Sequence, residues 1–226
     1  MMIAAGTIAA LIAWGTLAGL DLVSLLQSLF ARPLVAGAGA GWLLGDVEAG
    51  LRIGLVLELF ALDVVPVGSS RYPDFGAATV GAVVFGAATD WPLSLGVATV
   101  IGLGLAIAAG TTVPLTRRLN ARTVRSHSAR LAVGDAAAVS AVHLRCLGYD
   151  LVRSVAVAVM AVAVGLGARG LGLTPEPPLA RALTVVALGG AAWSVAHGAM
   201  ASARSGARWR YALGGLVAGV ILAAWP

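Results

Sequence analysis

The residues best equipped for chemistry are five carboxylates gathered in one glycine-rich block, residues 28–78: Asp46, Glu48, Glu58, Asp63 and Asp74. Glu58 stands between Leu57 and Leu59, far from any turn signal. A charge at the centre of a bilayer costs at least about 2.5–3.5 kcal/mol, so a carboxylate held in apolar sequence calls for a role: ligand contact, gate, or half of an ion pair. Arg32 and Arg52 are the candidate counter-charges for Glu58. Asp74 follows Pro73 in SSRYPD and occupies the position of an N-cap before Phe75; capping and ligand contact are compatible there. Asp46 and Glu48 sit in the turn GDVEAG, which fits a helix end or loop. A sugar needs hydrogen-bond acceptors and donors beside an apolar or aromatic face. Carboxylates together with Ser69, Ser70 and Gln27, and a nearby Tyr72 or Trp42, would supply both. The candidate substrate-binding set is therefore Glu58, Asp74, Asp46, Ser69 and Gln27.

Other chemistries lack their residues. His127, His143 and His197 are scattered without metal-ligand spacing, no nucleophile–base–acid constellation occurs, and Cys146 has no local motif. No catalytic residue, metal or cofactor is expected, and covalent catalysis by the chain alone is disfavoured. His197, in AAWSVAHGAM, reads as a packed or bundle-facing histidine rather than a proton relay. Gly37, Gly39 and Gly41 do not fit GxGxxG and no Walker lysine is present, so they read as a close helix-packing face rather than a phosphate cradle.

The elements that must carry these carboxylates follow from composition. Of 226 residues, 59% are hydrophobic and only 11% are charged, against about 45–50% and about 25% in an ordinary globular domain. A soluble domain this apolar could not cover itself with polar surface, and a disordered chain would be polar. One cysteine and the lack of a G-X-Y period exclude disulfide-rich and collagen-like classes. An all-α polytopic membrane protein remains, with length for roughly seven to nine crossings. Its charge is unevenly placed: residues 1–90 carry seven acids and three arginines, residues 91–226 twelve arginines and three acids. Two acid-free basic segments, Arg117–Arg130 and Arg204–Arg210, are assigned to the cytoplasmic side. Arginines that flank apolar spans do not make the basic face of a nucleic-acid binder. No basic region precedes Met1–Leu20, so it does not read as a cleaved signal peptide.

Along the chain, Met1–Leu20 is uncharged and long enough to span, and Leu22–Gly45 is interrupted at Arg32-Pro33. Ile53–Val67 carries Glu58 and Asp63, and Phe75–Thr89 is short for a crossing. Trp91–Thr116 is the clearest span. Ala136–Gly148 is mixed and ends at Asp150; Leu151–Leu173 spans, with Arg153 and Arg169 near its ends free to snorkel. Thr174–Pro178 is a turn, Ala182–Ala203 a span, and Tyr211–Pro226 a short last span. We therefore expect a single membrane domain over residues 1–226. Residues 1–90 form an acidic, glycine-rich core with discontinuous or re-entrant helices. Residues 91–116 form a transmembrane helix, 117–135 a basic cytoplasmic segment and 136–226 plain C-terminal helices.

The ordered set RPLVAG, LLGDVEAGLRIG, LELFAL, PVGSS and PD, together with Leu20-Asp21, resembles the N-terminal signature of the IIC component of the mannose/sorbose family of phosphotransferase-system sugar permeases. The likeness covers roughly the first 80 residues and is looser beyond. It implies a sugar-translocating membrane subunit that pairs with a IID subunit. The sugar would move inward by alternating access and be phosphorylated by a cytoplasmic IIAB protein. By the same resemblance the IIC chain carries no phosphorylated residue, is not catalytic alone, belongs to an oligomer in the bacterial cytoplasmic membrane, and keeps Glu58 and Asp74 in or near the translocation core. Two other classes stay open on the residues alone. One is an ion-coupled secondary transporter, with the acidic half as its ion pathway. The other is a non-transporting scaffold subunit, with its acids neutralised by Arg32, Arg52 and Arg71.

Overall fold

The computed structural model describes residues 3–25, 27–64, 72–87, 93–173 and 175–202. Ser69, Ser70, Arg71, Trp91, the basic stretch Arg204–Arg210 and the expected last span Tyr211–Pro226 lie outside the described residues. The ordered elements are helices: α1 (Ala5–Asp21), α2 (Pro33–Leu44), α3 (Val47–Ala61), α4 (Phe75–Gly86), α5 (Leu93–Gly110), α6 (Val113–Ser126), α7 (Ser128–Ala132), α8 (Ala136–Gly170) and α9 (Pro177–Ser202).

The break expected at Arg32-Pro33 is the start of α2, with proline in the first turn where its missing N–H costs nothing. The helix stops at Gly45, whose φ of 74° suits glycine. Asp46 then caps α3 by accepting from the Ala49 amide at 3.0 Å. The two helices fold back on each other through glycine. A Cβ on Gly37 would sit 2.5 Å from the Gly50 carbonyl oxygen, and one on Gly41 2.6 Å from that of Asp46. Gly50 and Gly54 return the contact from α3, so the backbones touch, as small residues four apart allow.

Helix α4 sits at the centre. It is 12 residues long, about 18 Å, and every one of its residues is buried. Its small side chains permit close approach on all sides: the Gly81 Cα faces the Ala161 carbonyl of α8, and Gly76 faces Ala18 of α1. Helices α1, α2, α3, α5 and α8 surround it.

Three helical stretches are long and apolar enough to cross a membrane: Ser94–Ser126, Ala136–Gly170 and Pro177–Gly198. Helices α1, α2 and α4 are apolar but shorter. The chain is thus an all-helical, multi-pass membrane protein, with short helices crowded into its first half and long ones in its second. The larger number of crossings that length alone allows does not appear among the described residues, because α2 and α4 are too short to span. Two boundaries differ from those read in the sequence. The expected span 91–116 runs on with helical character to Ser126, interrupted only at Thr111–Thr112. The hydroxyls of those threonines donate back to the Ala108 and Ala109 carbonyls, both at 2.6 Å. Ala136–Gly148 and the following span are one helix of 35 residues. Asp150 does not end it, and the Ser24 hydroxyl from the loop after α1 bonds its carboxylate. Asp135 caps α8, accepting from the Ala137 and Ala138 amides at 2.9 and 3.1 Å. The Ala138 amide first, and Arg130 beside it, hold the Asp135 carboxyl below the usual carboxylate range.

Candidate functional site

Four helix ends converge near the termini of α1 and α3 and the starts of α2 and α4. Asp21, the last residue of α1, is buried. Its carboxylate accepts from the Ser28 amide at 2.7 Å, the Ser28 hydroxyl at 3.2 Å and the Ala31 amide at 3.0 Å. One side chain therefore folds the α1–α2 loop back onto its own helix. Gln27 lies on this loop, exposed and with a φ of 49°.

Glu58 lies one turn before the end of α3, beside the start of α2. Arg32 donates to one of its oxygens, and the Leu34 amide donates to the other at 3.2 Å. The carboxylate thus neutralises an arginine and satisfies one unpaired N–H of the first turn of α2, where the helix dipole also favours a negative charge. Of the two counter-charges considered for Glu58, the structure selects Arg32; Arg52 bonds Glu48, one turn away on the same helix.

Asp74 occupies the N-cap position of α4, but its side chain makes no capping hydrogen bond. The N-cap position is the one expected, and the side chain is turned to a partner outside α4. Its Oδ2 instead accepts from Arg153 of α8, and Arg153 Nε donates to the Thr112 hydroxyl at 3.1 Å. The Asp74 amide donates to the Ala106 carbonyl at 2.9 Å, while Oδ1 is buried without a hydrogen-bond partner. Arg153 does not snorkel, because a buried carboxylate lies within its reach and leaves its side chain only 6% exposed. Arg169 does not snorkel either: it donates to the Ala87 carbonyl at the far end of α4, at 3.1 Å. Two arginines of α8 therefore hold the two ends of the buried short helix.

Between the two pairs lies a cleft of about 150 Å³, with Arg32, Pro33, Val64, Tyr72, Pro73 and Phe75 in its walls. Glu58 reaches it through Arg32, and Asp74 stands behind Pro73 and Phe75. Tyr72 supplies the aromatic face, steadied by Arg117, whose guanidinium lies 5.5 Å from the ring centre. Trp42, the other aromatic considered, is 72% exposed on the outer side of α2 and is not part of this cleft. Asp46 is not part of it either. It lies twelve residues from Glu58, about 18 Å along α3, and lines a separate polar cavity of about 190 Å³ with Glu48, Arg52 and Ser94.

Sequence reasoning placed no function on Asp21, Thr112 or Arg153. For Arg153 a signal existed, since a charge within an apolar run implies a partner. His197 is mostly exposed and lies 3.0 Å from Asp63, so α9 meets the end of α3 through this polar contact rather than through a packed histidine. Among the described residues no group of three or more His, Cys, Asp or Glu could hold a metal ion.

Long apolar spans around short, interrupted helices, with charged residues at the ends of those helices, mark a multi-pass helical membrane protein. The family model described as PTS system sorbose-specific IIC component matches residues 5–191, and the chain belongs to that family. It is 30% identical over 140 residues to the mannose-specific EIIC component of the PTS system from Escherichia coli K12, covering 61% of this chain and 51% of that protein. It is 29% identical over 137 residues to the sorbose-specific EIIC component from Klebsiella pneumoniae, covering 60% and 49%. The aligned region spans about half the length of these relatives. The fold matches a solved chain described as the mannose transporter ManYZ in complex with microcin E492, with a TM-score of 0.63, 22% identity, and 97% and 88% of the two chains covered. A second, described only as a membrane protein, matches with a TM-score of 0.80, 20% identity, and 96% and 88% covered.

Proposed function

We propose that this chain is the sugar-translocating IIC subunit of a phosphotransferase system in a bacterial cytoplasmic membrane. It binds a hexose-type sugar in the cleft between α2, α3 and α4 and moves it inward by alternating access. The observation that carries the reading is the convergence of four helix ends on a cleft flanked by Arg32–Glu58 and Asp74–Arg153, in a chain whose family is that of sorbose-specific IIC components.

In this mechanism Glu58 and Arg32 exchange part of their mutual contact for sugar hydroxyls, since a carboxylate accepts and a guanidinium donates. Tyr72 offers its ring to the apolar face of the sugar. Gln27, exposed on the loop after α1, and Ser69, which lies outside the described residues, are the remaining candidates for polar contacts with the sugar. Asp74 sets the position of α4, with its unpartnered Oδ1 left to accept a further hydrogen bond. Asp46 stays with the hairpin turn it caps, and we assign it no contact with a sugar held in this cleft. The chain has no phosphorylated residue in this reading. A IID-type membrane subunit completes the permease, in an oligomer, and a IIAB-type phosphocarrier phosphorylates the sugar at the cytoplasmic face.

The test is uptake of sorbose, mannose and fructose by cells expressing the chain with its neighbouring membrane and phosphocarrier subunits. Glu58→Gln is expected to abolish uptake while the membrane complex still assembles. Normal uptake by that variant sinks the site assignment. Uptake that needs no phosphocarrier but collapses with the membrane potential would replace the proposal with an ion-coupled transporter.

A further inference from the structure

The surface between α6 and the middle of α8 touches the cleft only through Arg117 and Arg153, and it combines two features that belong together. The first is a set of unpaired cations. No acid occurs from residue 91 to residue 134, while Arg117, Arg118, Arg122, Arg125 and Arg130 all fall within that stretch. Arg117 is turned onto Tyr72 and Arg130 pairs with Asp135. Arg118 and Arg122 of α6 and Arg145 of α8 are exposed. None of these three has an ion-pair partner among the described residues.

The second feature is a groove. Helix α8 returns beside α6, and between them lies an apolar depression of about 370 Å³, walled by Leu115, Leu119, Tyr149, Val152, Ala156 and Met160. The three arginines stand one helical turn from its wall residues: Arg118 follows Leu115 by three positions, Arg122 follows Leu119 by three, and Arg145 precedes Tyr149 by four. The groove, whose floor also holds Thr112 and the buried Arg153, thus has three exposed arginines within one helical turn of its wall residues. The basic segment faces the cytoplasm by the positive-inside rule, and the cytoplasmic leaflet is the one that carries anionic lipid.

We propose that this groove is a binding site for a phospholipid with an anionic headgroup. One acyl chain would lie against Leu119, Val152 and Met160, and the phosphate would lie against Arg118, Arg122 and Arg145. Arginine suits this task, because its fork of N–H donors matches phosphate oxygens. The neutral alternative, a helix of a partner subunit, would need acidic residues of its own to face the same rim.

The test is native mass spectrometry of the purified full-length chain, delipidated in detergent and offered phosphatidylglycerol or phosphatidylethanolamine with identical acyl chains. Phosphatidylglycerol is expected to be retained preferentially. Each of Arg118→Gln, Arg122→Gln and Arg145→Gln should lower its retention about fivefold, while phosphatidylethanolamine is unaffected. The triple lysine variant, which keeps the charge, should retain most of the preference and serves as the folding control. Ala156→Phe, which fills the groove from its exposed side, should lower retention of both lipids. Equal retention of the two lipids, or retention unchanged in the triple glutamine variant, would overturn the proposal. So would competition by glycerol phosphate at lipid concentrations, which would mark a site for free phosphate. Cross-linking of Val152→Cys to a co-expressed membrane subunit in place of lipid would overturn it as well.

Discussion

Two carboxylate–arginine pairs flank the cleft, and their surroundings are unlike. Asp74 and Arg153 are 0% and 6% exposed, sealed between α4, α5 and α8. Glu58 and Arg32 are 13% and 40% exposed, at the open end of the α2–α3 hairpin. The chemistry is the same and the consequences differ. Losing one partner of a sealed pair strands a charge where water cannot reach it, whereas an open pair can trade contacts with a ligand or with water. The sealed pair fixes where α4 begins; the open pair is available to a substrate.

The largest effect should come from splitting the sealed pair. Arg153→Leu leaves Asp74 without its counter-charge and is expected to cost about 3–5 kcal/mol, read as a fall in the thermal midpoint of the purified protein. The double variant Asp74→Leu/Arg153→Leu should regain most of that loss, because no charge is then stranded. If Arg153→Leu destabilises no more than a change at Glu58, the contrast between the pairs is wrong.

Next in size is the glycine contact that sets the geometry of the open pair. Gly50→Val drives a side chain into the backbone of Gly37 and should cost about 1–3 kcal/mol. Sugar uptake should fall with it, because α3 would carry Glu58 away from Arg32. Gly104→Ala, where an added Cβ meets nothing within 4 Å, is the matched control and should not destabilise.

Splitting the open pair comes third for stability and first for function. Glu58→Gln keeps an acceptor for the Leu34 amide and should change stability by no more than about 1 kcal/mol, while transport is lost. Asp135, at the start of α8, is the smallest case. Its carboxyl is held below its ordinary value near 3.8 by the Ala138 amide and Arg130, so its capping contribution is complete above that value. The contribution is lost as the pH falls through the lowered value. Asp135→Asn should flatten the acid limb of a stability–pH curve, with a small loss of stability near neutrality and none below the lowered value, where the wild-type carboxyl is already protonated.

These contrasts also show what could be read from the chain alone. The membrane class, the interruption at Arg32-Pro33, the turn at Gly45-Asp46 and the short helix after Asp74 all follow from local signals: proline chemistry, a glycine beside a capping residue, and run length. The Arg32–Glu58 pair was one of two candidates, separable only when the hairpin brings the start of α2 to the end of α3. The Asp74–Arg153 pair joins residues 79 positions apart, and nothing local to either one points to the other. Asp150 shows the converse: it reads as the end of a polar stretch, yet it lies within one long helix, where Ser24 of the loop after α1 bonds it. The sequence brought Asp46 and Glu58 together as one candidate site by their chemistry, and the length of α3 separates them.

The central claim is that the sugar occupies the cleft beside the open pair. The chain has a single cysteine, Cys146, so a Cys146→Ser background permits site-specific labelling. Val64→Cys places a thiol in the cleft wall, and Ser94→Cys places one in the separate polar cavity near Asp46. The measurement is the rate of maleimide labelling at each position in the assembled permease, with and without the transported hexose. The account predicts that sugar slows labelling at Val64→Cys and leaves Ser94→Cys unchanged. Protection at Ser94→Cys with none at Val64→Cys would contradict it.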